Sequence, residues 1–204
     1  MTPSFVSLVG NAPTDRDRAA AIDRSDVVIR INDCFGLGGV NGSRISHLFL
    51  INCGGQMREW LDDPGFADRP AVAGAGEILF PIHPDKDDLI EPPLGADERM
   101  APDARNWAAE AGEMLRAGGR PVTLVDVAIF LRASAIIGNG RTERHMSAPS
   151  TGLIALVWAL ETFSDPIDVY GFGFEGWPGH RWDKERAFFE RMRDEGRVRL
   201  HPIA

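Results

Sequence analysis

Apolar positions along the chain fall into short blocks, and their spacing predicts strands alternating with helices. Ser4 to Val9 and Ser25 to Asn32 read as buried strands. Between them Gly10-Asn11-Ala12-Pro13 breaks the chain, and Thr14 to Arg24 reads as a helix. Ser46 to Asn52 gives a third strand, Gly54 to Leu61 a short helix and Glu77 to Phe80 a fourth strand. Asp33 to Ser43 and Asp62 to Ala75 carry neither period and read as a flexible crossing and a loop. Pro81 to Pro102 is rich in proline and acidic residues and reads as an exposed loop or lid. Asp103 to Ala117 follows as an amphipathic helix, Pro121 to Val125 as a strand, Asp126 to Ile137 as a helix, and Gly138 to Ala148 as an irregular loop.

The most apolar block comes next. Pro149-Ser150-Thr151-Gly152 precedes Leu153 to Leu160, a run apolar on all sides and too short to span a bilayer, hence a buried helix with Ser150 or Thr151 as its N-cap. Ser164-Asp165-Pro166 turns the chain into a strand-like run from Ile167 that ends in glycines at Gly173. A last helix from Asp183 to Glu195 and a strand from Val198 to His201 close the sequence. The alternation predicts one α/β domain over residues 1–204, a Rossmann-like three-layer sandwich with a largely parallel sheet.

Composition narrows the function. A hydrophobic content of 44% in 204 residues suffices for one sizeable core. The formal charge of −8 argues against nucleic acid or an anionic membrane surface as partner. Met1 to Phe5 leads into the first strand without a basic and apolar leader, so no signal peptide or membrane anchor is expected and the location expected is cytoplasmic. Cys34 and Cys53 are too few for a disulfide scaffold and read as reduced thiols. His47, His83, His145 and His201 form no ligand spacing, so neither metal nor cofactor is expected. P-loop, G-x-G-x-x-G and G-x-S-x-G patterns are missing as well.

Four places carry candidate chemistry. A helix start leaves backbone N–H groups unpaired beside about half a positive charge, so Ser150, Thr151 and Gly152 suit a phosphate, with Gly152 letting the ligand approach. They equally suit an ordinary helix cap. Asn11, in the turn after the first strand, suits a nucleobase, ribose or phosphate, or else only shapes the turn. Arg30 and Asn32 share the strand face opposite Ile29 and Ile31 and suit a cleft at the strand's exit. His180, in a loop before the last helix, suits a general base, or else a surface or capping histidine.

Taken together these segments resemble the sialyltransferases of glycosyltransferase family 29. Val9-Gly10-Asn11, the run Ile22 to Asn32 and Gly42-Ser43 look like its long motif. Pro149 to Gly152 with Asp168 to Gly173 looks like its short motif, and His180-Arg181-Trp182-Asp183-Lys184-Glu185 fits its H-x-x-x-x-E motif. The resemblance implies an inverting transferase moving a sialic acid or related 2-keto sugar acid, such as Kdo, from a CMP-sugar donor to a glycan acceptor without a metal. It further implies that Asn11 and Asn32 contact the cytidine nucleotide, that Ser150, Thr151 and Gly152 hold its phosphate or ribose, that His180 is the base and that Glu185 supports the region. Animal members pair two cysteines where Val6 and Ser164 stand here, so that disulfide is not expected. The aromatic and histidine cluster that precedes the base in the family is represented only by Trp177-Pro178-Gly179. A CMP-binding protein of the same frame without transfer activity, and a partner protein with no nucleotide site, are the competing readings.

Overall fold

A computed structural model describes residues 5–89, 93–101, 104–139 and 147–203. The strands among them are β1 (Val6–Val9), β2 (Val27–Ile31), β3 (His47–Phe49), β4 (Glu77–Phe80), β5 (Val122–Leu124), β6 (Ile167–Tyr170) and β7 (Val198–Leu200). They form one sheet in the order β5-β4-β3-β2-β1-β6-β7, with every neighbouring pair parallel. β1 sits between β2 and β6, with Val6 level with Val27 on one side and Ile167 on the other. From β1 the chain first builds outward through β2 to β5, then returns to add β6 and β7 on the opposite side. The strand order therefore reverses between β1 and β6, and ligands of open α/β sheets bind outside the carboxyl ends at such a point.

Helices flank the sheet as α1 (Ala19–Asp23), α2 (Gly54–Asp62), α3 (Pro70–Gly74), α4 (Ala96–Met100), α5 (Ala108–Ala117), α6 (Val127–Ile136), α7 (Thr151–Thr162) and α8 (Trp182–Asp194). Val6 and Leu8 of β1, Ile29 and Ile31 of β2 and Val169 of β6 point into one core with α6, α7 and α8. Leu48, Leu50, Ile78 and Phe80 point to the other face, against α2, α3 and α5. Period-2 side-chain alternation thus feeds two apolar layers from one sheet, and the α/β three-layer architecture read from the sequence is the one observed. α7 is enclosed over most of its length: Leu153, Ile154, Ala155, Leu156 and Ala159 have no exposed surface, and only Glu161 and Thr162 at its end are exposed. Each large apolar side chain buried this way stabilises the fold by roughly 1.5–3 kcal/mol.

Several segments differ from the sequence reading. The helix expected over Thr14 to Arg24 shrinks to α1, because hydroxyl and carboxylate side chains take the backbone N–H groups ahead of it. Thr14 Oγ1 accepts from Arg16 N–H at 3.1 Å and Asp17 Oδ1 from Ala19 N–H at 3.0 Å. Asp62 to Ala75 is not a loop but holds a 3₁₀ turn, Phe66–Asp68, and α3, with Phe66, Ala71 and Val72 buried. The supposed lid contains a second 3₁₀ turn, Pro84–Asp88, and α4, and the helix expected from Asp103 starts at Ala108. The crossing after β2 is pinned rather than free: the Asp23 carboxylate accepts from Ser43 and Arg44 N–H. Parts of the Pro81–Pro102 and Gly138–Ala148 segments, and His145 with them, lie outside the described residues. Both cysteines are free thiols, and burial pushes each up to about 12. Among the described residues no helix is long and apolar enough to cross a membrane.

Candidate functional site

The carboxyl ends of β1 and β6 cross closely just past the sheet. Gly10 N–H donates to Tyr170 C=O at 2.8 Å and Ala12 N–H to Gly171 C=O at 2.9 Å. A Cβ on Gly10 would collide with the Gly171 carbonyl, and Gly171 has φ of +68°, so glycine is needed at both positions. The start of α7 stands over this crossing. A Cβ on Gly152 would meet the Phe172 ring at 2.7 Å and Ile31 at 3.5 Å, which puts the first helical turn against the ends of β6 and β2.

Ser150 is the N-cap of α7, its Oγ accepting from Leu153 N–H at 3.0 Å. Glu185, on the first turn of α8 and 1% exposed, reaches across to it. Ser150 donates twice to that carboxylate, from N–H at 2.9 Å and from Oγ at 2.5 Å. Burial raises the Glu185 pKa, and the two bonds from Ser150 only partly offset this. The polar atoms of Ser150 are thus committed within the protein. Thr151 N–H, Gly152 N–H and Thr151 Oγ1 make no hydrogen bond to the described residues, so the donors left unpaired at this helix start are those of Thr151 and Gly152, both buried. The space beside Gly152 is filled by Phe172 rather than left for a ligand, a correction to the reason given above for a glycine there.

His180 is tied to the segment entering α7. Its Nδ1 lies 2.7 Å from Ala148 C=O, two residues before the N-cap, so Nδ1 carries the proton and donates while Nε2 keeps its lone pair. Trp177 and Trp182 flank the imidazole at 4.9 Å each, with ring planes inclined by 76° and 79°. Burial lowers the His180 pKa below 6.5 despite the bond to Ala148. A neutral imidazole with a free Nε2 beside a helix start is equipped to accept a proton.

The two asparagines hold loops. Asn11 Nδ2 donates to Ile31 C=O at 3.1 Å and Oδ1 accepts from Phe35 N–H at 3.0 Å, so its side chain braces the segment after β2. Asn32, with φ of 49°, accepts Ile51 N–H on Oδ1 at 3.0 Å and leaves Nδ2 without a partner among the described residues. Arg30 does not enter the cleft. It is 1% exposed and donates through Nε to Arg44 C=O and through Nη2 to the carbonyls of Asn41 and Gly42. A cavity of about 310 Å³ opens beside Asn32, lined also by Phe35, Phe66 and Arg69, but Ser150 to Gly152 and His180 take no part in it. Among the described residues no group of His, Cys, Asp and Glu is placed to hold a metal.

Asn32 and the α7 start lie just past the carboxyl ends of β2 and β6, near the point where the strand order reverses, and His180 is tied to the segment entering α7. Trp177 and Trp182 are additions; the signal for them was the spacing of two tryptophans around His180. No protein-family model matches the chain. A curated relative, the urease operon 23 kDa accessory protein of Rhizobium meliloti (strain 1021), is 28% identical over 218 residues, covering 98% of this chain and 94% of the relative. Among solved structures, a mammalian sialyltransferase superposes with a TM-score of 0.57 at 16% identity, covering 97% of this chain and 68% of that one. A mammalian sialyltransferase in complex with Gal-β-1-3GalNAc-ortho-nitrophenol gives 0.56 at 17% identity with the same coverage. The fold is shared with these enzymes.

Proposed function

We propose that the protein is an inverting glycosyltransferase of the sialyltransferase type, transferring a sialic acid or related 2-keto sugar acid such as Kdo from a CMP-sugar to a glycan hydroxyl. The observation that carries this reading is His180, whose Nδ1 is fixed on Ala148 C=O, beside the two free N–H groups that open α7. In the reaction the acceptor O–H gives its proton to His180 Nε2 as its oxygen bonds to the anomeric carbon. The bond from that carbon to the phosphate oxygen breaks, and CMP leaves with the electron pair. The charge on the leaving phosphate is met by Thr151 N–H, Gly152 N–H and the Thr151 hydroxyl. In this reading Asn32 Nδ2, which has no partner among the described residues, contacts the nucleotide, whereas Asn11 acts on it through the loop that it braces. Glu185 positions Ser150 and, through it, the helix start. The shared fold supports this reading, as does a glycan-derived ligand in one structural neighbour.

A second reading, a CMP-binding protein without transfer activity, is favoured by one observation: the Rhizobium relative is described as an accessory protein of a urease operon. The discriminating experiment is a thermal-shift titration with CMP, CDP, UMP and GMP, followed by transfer assays from CMP-sugars. Transfer predicts stabilisation specific to cytidine nucleotides. It also predicts that His180→Ala loses transfer while keeping the CMP shift. A folded His180→Ala that no longer binds CMP would remove the base role, and no shift with any nucleotide would remove both readings.

A further inference from the structure

Of the five tryptophans in the chain, Trp177 alone is exposed, at 60% of its surface, and it stands against the candidate base. Leaving so large an aromatic group in water forgoes the stabilisation its burial would give. The surrounding structure nevertheless holds it in place. Its carbonyl accepts from His180 N–H at 3.2 Å and from Trp182 Nε1–H at 3.1 Å. Its ring folds back over Gly179, where a Cβ would fall within the ring, and Gly179 C=O accepts from Ala148 N–H at 3.1 Å, tying the loop to the segment before α7. The result is an aromatic surface fixed beside His180 and open to solvent.

We infer that Trp177 is a stacking platform for the acceptor, and that the acceptor group it takes is a hexopyranose; this rests on the transferase reading above. A pyranose ring carries C–H bonds on its face and hydroxyls around its edge. The electron-rich face of an indole attracts polarised C–H groups, while an edge hydroxyl is left free to approach the neighbouring imidazole. Stacking at Trp177 fixes the acceptor's height and leaves the choice of hydroxyl to its rotation over the ring. Trp182, perpendicular to His180 on its other contact, holds the imidazole plane and does not extend the platform.

The test is saturation-transfer NMR on the full chain with CMP present, using methyl β-D-galactopyranoside, methyl α-D-glucopyranoside and methyl α-D-mannopyranoside as probes. At least one of them is expected to receive saturation at its ring C–H protons. Trp177→Ala should weaken that binding about tenfold and Trp177→Phe should restore most of it. Circular dichroism confirms that both variants fold, and the CMP thermal shift is recorded on the same samples. No saturation of any probe by the folded wild type, or an unchanged signal in Trp177→Ala, overturns the platform. A Trp177-dependent signal without a CMP shift would keep the platform as a sugar site and remove the transferase reading. A CMP shift with sugar binding indifferent to Trp177 would do the reverse.

Discussion

Glu185 and His180 are the two titratable side chains whose environments bear most directly on the site. Replacing Glu185 with Ala leaves Ser150 N–H and Oγ without their buried acceptor, which costs about 1–3 kcal/mol. Urea denaturation should show that loss without any ligand, and Glu185→Gln, which keeps one acceptor and removes the buried charge, should lose less. The pH dependence has opposite signs at the two residues. The folded His180 pKa lies below its unfolded 6.5, so the unfolded chain binds more protons just under that pH. Stability therefore falls as pH drops through 6.5 toward the folded value, and His180→Gln should flatten that limb. The folded Glu185 pKa lies above its unfolded 4.5, so stability falls as pH rises from 4.5 through the folded value. For the proposed chemistry, His180 is neutral at pH 7 and the acid limb of kcat/KM lies below 6.5, measurable in a transfer assay. The position of His180 in a loop was legible in H-x-x-x-x-E, since five residues do not share a helical face. Its carbonyl partner Ala148 was not, because a backbone acceptor leaves no trace in residue type. Arg30 misled for the same reason: three carbonyls, taking its Nε and Nη2, hold it in the interior.

α7 was the most legible element, since a run apolar on all sides has to be enclosed. Its cap was legible too, in Ser150. The glycine after the cap was not: its ligand-approach explanation gave way to the Phe172 ring, which comes from beyond β6 and is near only in the folded chain. Gly152→Ala should therefore destabilise by about 1–3 kcal/mol as the methyl forces Phe172 aside. The compensating change is Phe172→Leu, which shortens the obstructing side chain. In a double-mutant cycle by urea denaturation the pair should lose less than the sum of the single changes. Additive losses would mean that the contact is relieved by movement of the helix instead. The elements most poorly read, α1 and the 62–75 segment, are short. Over five residues a helical period is barely expressed, and local side-chain bonds such as Thr14 and Asp17 decide where helix begins.

Alternation of strand and helix predicted a parallel sheet, but strand order is a property of pairings between distant parts of the sequence and carries no local signature. The observed order places the first strand in the interior of the sheet and makes its second partner β6, from the last quarter of the chain. The β1/β6 crossing at Gly10 and Gly171, and with it the site, exists only once both ends of the chain have come together. A chain ending at Phe163 would leave one edge of β1 unpaired and remove β6, β7 and α8. Val6, Leu8, Ile154 and Leu156 would lose the cover they share with Val169, Phe188 and Phe189. An exposed, apolar parallel edge of this kind favours aggregation over folding. The expected outcome is that residues 1–163 show no cooperative urea transition, whereas the full chain unfolds in one. Since loop-closure entropy must be overcome before β1 and β6 can pair, refolding of the full chain should be slow for its size. Gly10→Ala, which obstructs that last closure, should slow refolding further in stopped-flow experiments. If residues 1–163 unfolded cooperatively on their own, β1 to α7 would be an independent unit and β6 an addition to it. Cooperative loss of the whole would instead make the candidate site a direct report on completion of the fold.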